Sequence, residues 1–273
     1  MRIRIVDGHL LIGDPRLPLR VFLFHYAGAT ALSMLPLARA LPPGCAAVAF
    51  ELDGRGELAD TPPAHSFDDA VNRLFPAFRS WVDRPAVVVG HGVGALLAHA
   101  LVAELPDGQR HHIRDVVLSG ARSPVTTARV ATHPRAPFLT RTREELAAEL
   151  RRHGGCPPEL FDYPHMLDLA VTMLGQDLHL MDTYHEPAAV PPGGRTDYHV
   201  WSGRGDRSLS AAESERWRLS TPSPPQPREF AGGHVFLCQE RPPAAALREL
   251  VAARIADIAD IAGVPPCPER GAA

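Results

Sequence analysis

Lysine is absent from this chain: all 28 residues counted as Lys or Arg are arginine. Together with abundant alanine and 28 prolines, that bias points to a GC-rich genome and says nothing about the fold. No apolar run reaches the ~18 to 20 residues of a membrane span, so no membrane partner is expected. Charge of one sign is lacking too. A net charge of -3 argues neither for nucleic acid nor for an anionic membrane surface. Cysteine is scarce, and Cys45, Cys156, Cys238 and Cys267 contain no C-x-x-C pair. They read as reduced thiols, with neither a zinc site nor a disulfide framework, and no metal is expected. The start, Met1-Arg2-Ile3-Arg4-Ile5, alternates like a strand and lacks the apolar block of a secretion signal, so a cytoplasmic protein is expected. Internal repeats are missing as well.

What is present is a chain of 273 residues, 45% hydrophobic, long enough for one α/β domain over 1–273 with an insertion. Residues 2–12 read as a hairpin closed at Asp7-Gly8. Val21-Phe22-Leu23-Phe24 and Ala46 to Phe50 are continuous apolar runs, the pattern of strands buried on both faces. Helices are predicted near 31–40 and 67–82, strands at 86–89 and 115–120. This alternation predicts a mostly parallel, doubly wound sheet. The pattern breaks between about 123 and 190, where helical segments (143–152, 164–184) flank Gly154-Gly155 and Pro157-Pro158. That stretch is expected to be an inserted helical lid. Strand character returns at 198–201. Helices are predicted near 210–219 and 243–262, Pro222 to Pro227 as a linker, and 264–273 as a loose tail.

The most informative stretch follows the apolar Ala86-Val87-Val88-Val89. Gly90-His91-Gly92-Val93-Gly94 leads into the helical Ala95-Leu96-Leu97-Ala98. Strand, Gly-rich turn and helix in that order form the context of the nucleophile elbow G-x-S-x-G. Gly90 and Gly94 stand where strand and helix pack too closely for side chains. The middle position, which should carry the attacking hydroxyl, is Gly92. Asp206, in a turn after a late strand, and His234, in the loop Gly232-Gly233-His234-Val235, follow in the order acid then His. The acid would orient the imidazole, and the imidazole would move the proton. Backbone amides at Val93 and around Tyr26-Ala27 are the candidate oxyanion hole, and neither depends on a side chain at 92.

These motifs resemble the type II thioesterases of polyketide and nonribosomal peptide pathways over nearly the whole length. Phe24-His25-Tyr26-Ala27-Gly28-Ala29 resembles that family's F-P-[HYF]-A-G-G, and Leu52-Asp53-Gly54-Arg55 its L-P-G-R. Gly90 to Ala95 resembles G-H-S-M-G-A, and Gly154 to Glu159 resembles G-G-T-P-P-E. Asp182-Thr183-Tyr184 resembles E-T-Y, and Gly232 to Leu237 resembles G-G-H-F-F-L. The resemblance implies an α/β-hydrolase fold with a helical lid and a small-molecule acyl substrate. It also implies an acyl or peptidyl carrier protein as partner, and no cofactor beyond the phosphopantetheine of that carrier. The departures gather at the site: His25, Ala29, Asp53, Gly92 and Val93 replace Pro, Gly, Pro, Ser and Met. Several changes around one site favour natural divergence over a single engineered substitution.

Without its hydroxyl the site has three readings. His234, oriented by Asp206, acts as base on the acyl chain, giving elimination, cyclisation or isomerisation. Alternatively it activates a water beside Gly92 for direct hydrolysis. In the third reading the chain is a catalytically dead homologue that only binds carrier or product. His25, in place of Pro, is a candidate second acid or base, or equally a buried, hydrogen-bonded histidine at a strand end. Cys156 in the lid is a candidate pocket residue, and Met173 and Met181 on the 164–184 stripe are candidate walls for the acyl chain. Ser119, Cys45 and Cys238 read as structural.

Overall fold

The structure, a computed structural model, describes residues 2–132, 141–185 and 196–261. Its order begins β1 (Ile3–Val6), β2 (His9–Ile12), β3 (Leu19–Phe24), α1 (Leu35–Ala40), β4 (Cys45–Phe50), α2 (Phe67–Trp81), β5 (Ala86–His91) and α3 (Val93–Glu104). It continues α4 (Asp107–Arg110), β6 (Ile113–Ser119), α5 (Pro124–Val130), α6 (Arg143–His153), α7 (Pro164–Asp182) and β7 (Asp197–Gly203). It closes with α8 (Ala211–Glu215), β8 (Gln226–Phe230), α9 (Phe236–Gln239) and α10 (Arg241–Ile261). The strands form one eight-stranded sheet in the order β1-β2-β4-β3-β5-β6-β7-β8. From β4 to β8 the pairings are parallel, and the hairpin adds the antiparallel edge. This is the α/β-hydrolase architecture.

The central strands are apolar throughout because both faces are covered. On β3, Phe22 and Phe24 pack with Phe50 and Phe78 of α2, while Leu19, Val21 and Leu23 pack with Met34, Leu37 and Leu247 on the opposite face. The hairpin turn falls at Asp7-Gly8, both at positive φ (50° and 81°), between the paired Val6 and His9. β8 departs from expectation, since Pro227 lies within a strand rather than a linker. It is the last strand of the sheet and four of its five residues are exposed, so it shows no apolar alternation; a sheet edge tolerates proline.

Between β6 and β7 the chain inserts α5, α6 and α7, of which α6 and α7 share their own apolar cluster, including Leu146, Leu150, Leu167 and Leu174. α6 begins at a capping box (Thr142 with Glu145) and ends where Gly154 turns left-handed at φ 67°. α7 is tied to the sheet by a buried ion pair. Arg55 donates to both carboxylate oxygens of Asp177 at 2.6 and 2.7 Å, and Asp177 also accepts from the Gly28 amide at 2.7 Å. Arg55 thus joins the turn after β4, the loop after β3 and α7. The segments 133–140 and 186–190 of the expected lid, and the expected tail 264–273, lie outside the described residues. Among the described residues no helix is long and apolar enough to cross a membrane.

Candidate active site

The sheet's six parallel strands end on one rim, and the turns there carry the site. β5 gives way to α3 at Gly92, whose φ of 57° and ψ of -124° no side-chain-bearing residue adopts without strain. The close approach that makes this turn possible rests on its glycines. A Cβ on Gly90 would run into the backbone of Gly94, and one on Gly94 into the carbonyls of Phe24 and His25. At Gly92 there is room: a Cβ would lie 3.5 Å from Tyr26 Cβ and 3.8 Å from His234 Nε2.

His234 is held from three sides. Its Nδ1 donates to Asp206 Oδ2 at 2.8 Å. Ser208 donates to Asp206 Oδ1 from both its amide, at 2.8 Å, and its hydroxyl, at 2.6 Å. The buried His91 donates from Nε2 to the His234 carbonyl at 2.7 Å, and its Nδ1 accepts from Ser119 Oγ at 3.0 Å. With the Nδ1 proton on the carboxylate, Nε2 carries the lone pair that faces Gly92. Burial works to raise the Asp206 pKa, but the hydrogen bond and charge of His234 and the two bonds from Ser208 outweigh it and bring it down to about 2. Asp206 is therefore ionised at neutral pH.

Burial lowers His91 furthest, with the neighbouring His234 ring adding to it, to about 3; burial also lowers His9 and His99. The sign follows directly. A histidine neutral in the fold but titrating at 6.5 when unfolded contributes stability fully above pH 6.5, and that stability is lost as pH falls toward the folded value. For His91 the slope is about 1.4 kcal/mol per pH unit, or about 2 kcal/mol between pH 6.5 and 5. Urea unfolding at pH 7.5, 6 and 5 is expected to show this decline, with a flatter slope in His91→Asn. Equal midpoints at all three would contradict it.

The Val93 amide opens α3 and has no carbonyl one turn back within the helix. The Tyr26 carbonyl accepts from the Ala29 amide at 3.1 Å and from His25 Nδ1 at 3.0 Å. The peptide is trans, so the Ala27 N–H points the opposite way. Tyr26, Ala27, Gly92, Val93 and His234 all border one cavity of about 500 Å³.

Cys156 and Met181 border the same cavity. Met173 does not: on α7 the cavity wall is made by Ala170, Leu174, Leu178 and Met181, and Met173 falls off that face. His25 is not brought to the cavity either. Its side chain is buried, with Nε2 3.4 Å from Glu51 Oε1 and Nδ1 on the Tyr26 carbonyl, so it orients the 26–27 peptide instead of facing substrate. None of the substitute nucleophiles is activated. Burial raises the Cys156 thiol against the opposing pull of Arg151, and raises Cys238 to about 12 and Cys45 to about 11, the wrong direction for a thiolate. Ser119 is buried on His91.

Sequence reasoning missed two groups. Ser208, two residues beyond Asp206, was visible only as one of several serines in a polar turn. His153 ends α6 and brings its ring to within 4.5 Å, centroid to centroid, of the His234 ring. Its signal in the sequence was Glu149-Leu150-Arg151-Arg152-His153, a carboxylate and an imidazole one helical turn apart just before Gly154-Gly155.

The model of the thioesterase domain family matches residues 19–253. A probable cadicidin biosynthesis thioesterase of Streptomyces griseus is 29% identical over 222 residues, covering 81% of this chain. The match spans only 58% of that relative's length. Thioesterase PikA5 of Streptomyces venezuelae is 27% identical over 232 residues, covering 82% of this chain and 77% of that one. Among solved structures, the type II thioesterase BorB from the borrelidin biosynthetic cluster superposes with a TM-score of 0.71 at 26% identity, over 89% of this chain and 95% of that one.

Proposed function

This chain belongs to the thioesterase domain family, and from that premise we propose that it acts on a thioester-linked acyl or peptidyl chain of a polyketide or nonribosomal peptide pathway without forming an acyl-enzyme. The substrate is presented on the phosphopantetheine of a carrier protein, and the α5–α7 insertion serves as the lid over it. The pathway assignment is supported by the names of the relatives and the carrier by the chemistry such pathways use. One observation carries the mechanism. His234 Nε2 faces the place where a side chain at 92 would begin, 3.8 Å from the Cβ position, while Asp206 holds Nδ1 at 2.8 Å. A base is in place and the atom it should activate is not part of the protein.

The thioester carbonyl sits toward the Val93 and Ala27 amides, which stabilise negative charge on its oxygen. His234 then removes a proton from whatever occupies the space at Gly92: the α-carbon of the acyl chain, its own hydroxyl, or a water. Elimination, cyclisation or hydrolysis follows from which of these the acyl chain places there. A second reading, a docking module without turnover, is favoured by the glycine itself, which relaxes a strained turn once catalysis no longer requires it.

The test is incubation with acyl-loaded carrier protein, followed by intact mass and by chromatography of any released product. Loss of the acyl group, loss of water, or a constant-mass product with new retention supports the reading. An acyl adduct on this chain, or no change with any loaded carrier, would sink it.

A further inference from the structure

The imidazole that sequence reasoning missed sits in a matched arrangement. His153 Nε2 donates to Glu149 Oε1 at 2.7 Å, as His234 Nδ1 donates to Asp206. The other oxygen of Glu149 is held by Arg152 Nη1 at 2.8 Å. Glu149, His153 and His234 all border the 500 Å³ cavity. An i,i+4 pair on a helix is ordinarily a solvated surface contact. Here the side chains of Glu149, His153 and His234 are only 24%, 22% and 19% exposed, and the two rings touch at 58° to one another.

Two imidazoles, each with its own carboxylate, are one more than hydrolysis needs. A single histidine can take a proton from water and return it to a leaving thiolate, which departs readily. A second is needed when the leaving group is a hydroxide, far too basic to depart unprotonated. Rings in contact also repel one another if both are charged, so the pair works as one base and one acid.

Resting on the non-covalent reading above, we propose that Glu149–His153 is the acid half of the active site, and that the substrates are β-hydroxyacyl thioesters, which the enzyme dehydrates. His234 Nε2 takes the proton from the α-carbon. The electrons of that C–H bond pass to the thioester oxygen as an enolate held by the Val93 and Ala27 amides; they then return to form the carbon–carbon double bond as the β C–O bond breaks, and His153 Nδ1 gives its proton to the departing hydroxyl. The products are one water and the α,β-unsaturated thioester; His153 is left neutral and His234 protonated, and exchange with solvent resets both. No oxidant or reductant is involved. Base and acid lie side by side, as loss of both groups from the same face of the substrate requires. Glu149 is a positioning residue that holds the ring and balances its charge.

The probe is the β-hydroxybutyryl thioester of N-acetylcysteamine in deuterated water. α-Proton exchange reports His234 alone; the absorbance of the conjugated thioester and loss of water report the pair. The wild-type chain is expected to do both. His153→Gln, close in size, is expected to dehydrate at least ~10²-fold more slowly while losing far less of its α-proton exchange. Glu149→Gln is expected to lower kcat for dehydration by a larger factor than it changes KM or α-proton exchange. The proposal falls if His153→Gln dehydrates like wild type, or if wild type exchanges or hydrolyses the probe without dehydrating it. The latter outcome leaves the non-covalent reading standing. Neither exchange, hydrolysis nor cyclisation with wild type overturns both.

Discussion

On the proposed reading, Gly92→Ser is expected to give this chain a covalent hydrolase activity. The added Cβ meets nothing closer than 3.5 Å, so the side chain enters without displacing its neighbours. From there the hydroxyl reaches toward Nε2 of His234, whose Nδ1 is already bonded to Asp206. On the proposed reading, every other part of a serine triad and its oxyanion hole is in place. Deleting the nucleophile from such a triad costs about 10⁶ in kcat, and restoring it is expected to raise hydrolysis of a simple acyl thioester by ~10³-fold or more toward that ceiling. The cost is conformational. A residue with a side chain at φ 57° and ψ -124° is strained by about 1–3 kcal/mol, so the variant is expected to unfold at lower urea than wild type. A phosphonofluoridate that labels activated serine hydroxyls, followed by intact mass of the Gly92→Ser variant and of wild type, gives the check. No labelling of the variant and no gain in hydrolysis would mean that the imidazole and the amides do not converge as described.

The second large effect is expected from His234→Ala. On the proposed reading the ring supplies the base, and a positioned general base contributes about 10²–10⁴ in rate. Conversion of the native carrier-bound substrate is expected to fall by that factor. The fold is expected to survive, because His91 bonds the backbone carbonyl of residue 234 and Ser208 still satisfies Asp206. Carrier binding measured in the same variant separates the two functional readings. Lost turnover with retained binding supports a catalytic imidazole. Conversion at the wild-type rate would reduce the site to a docking surface.

The elbow was legible in the sequence because its requirements are local: two glycines a fixed distance apart, at the end of an apolar strand and the start of a helix. Asp206 and His234 were legible through order and flanking turns, and the structure brings them within hydrogen-bond distance. Facing was harder. Met173 lies in an apolar stripe, but on a helix covered from more than one side periodicity does not say which neighbour a residue meets. His25, replacing a proline beside the site, reads equally well as an acid or base facing substrate and as a buried, hydrogen-bonded ring. Its actual partner, Glu51, sits at the end of β4, and only the pairing of Phe24 with Phe50 puts the two side by side. His153 was hidden for the same reason. Its carboxylate is one helical turn away and visible, whereas His234 is far along the chain and reached only through the folded insertion. β8 carried no signal because an exposed edge strand has no apolar face to display.

The Arg55–Asp177 pair sets how the pocket can breathe. One carboxylate bonds α7 to the very loop that carries the Ala27 amide. Parting such a buried pair leaves an uncompensated charge and costs about 3–5 kcal/mol, which keeps the parted form below about one molecule in a hundred. The α7 wall is therefore expected to resist swinging aside for a bulky chain. On the proposed reading it acts as a fixed gauge, and acyl groups too wide for it are expected to be turned away by shape rather than accommodated.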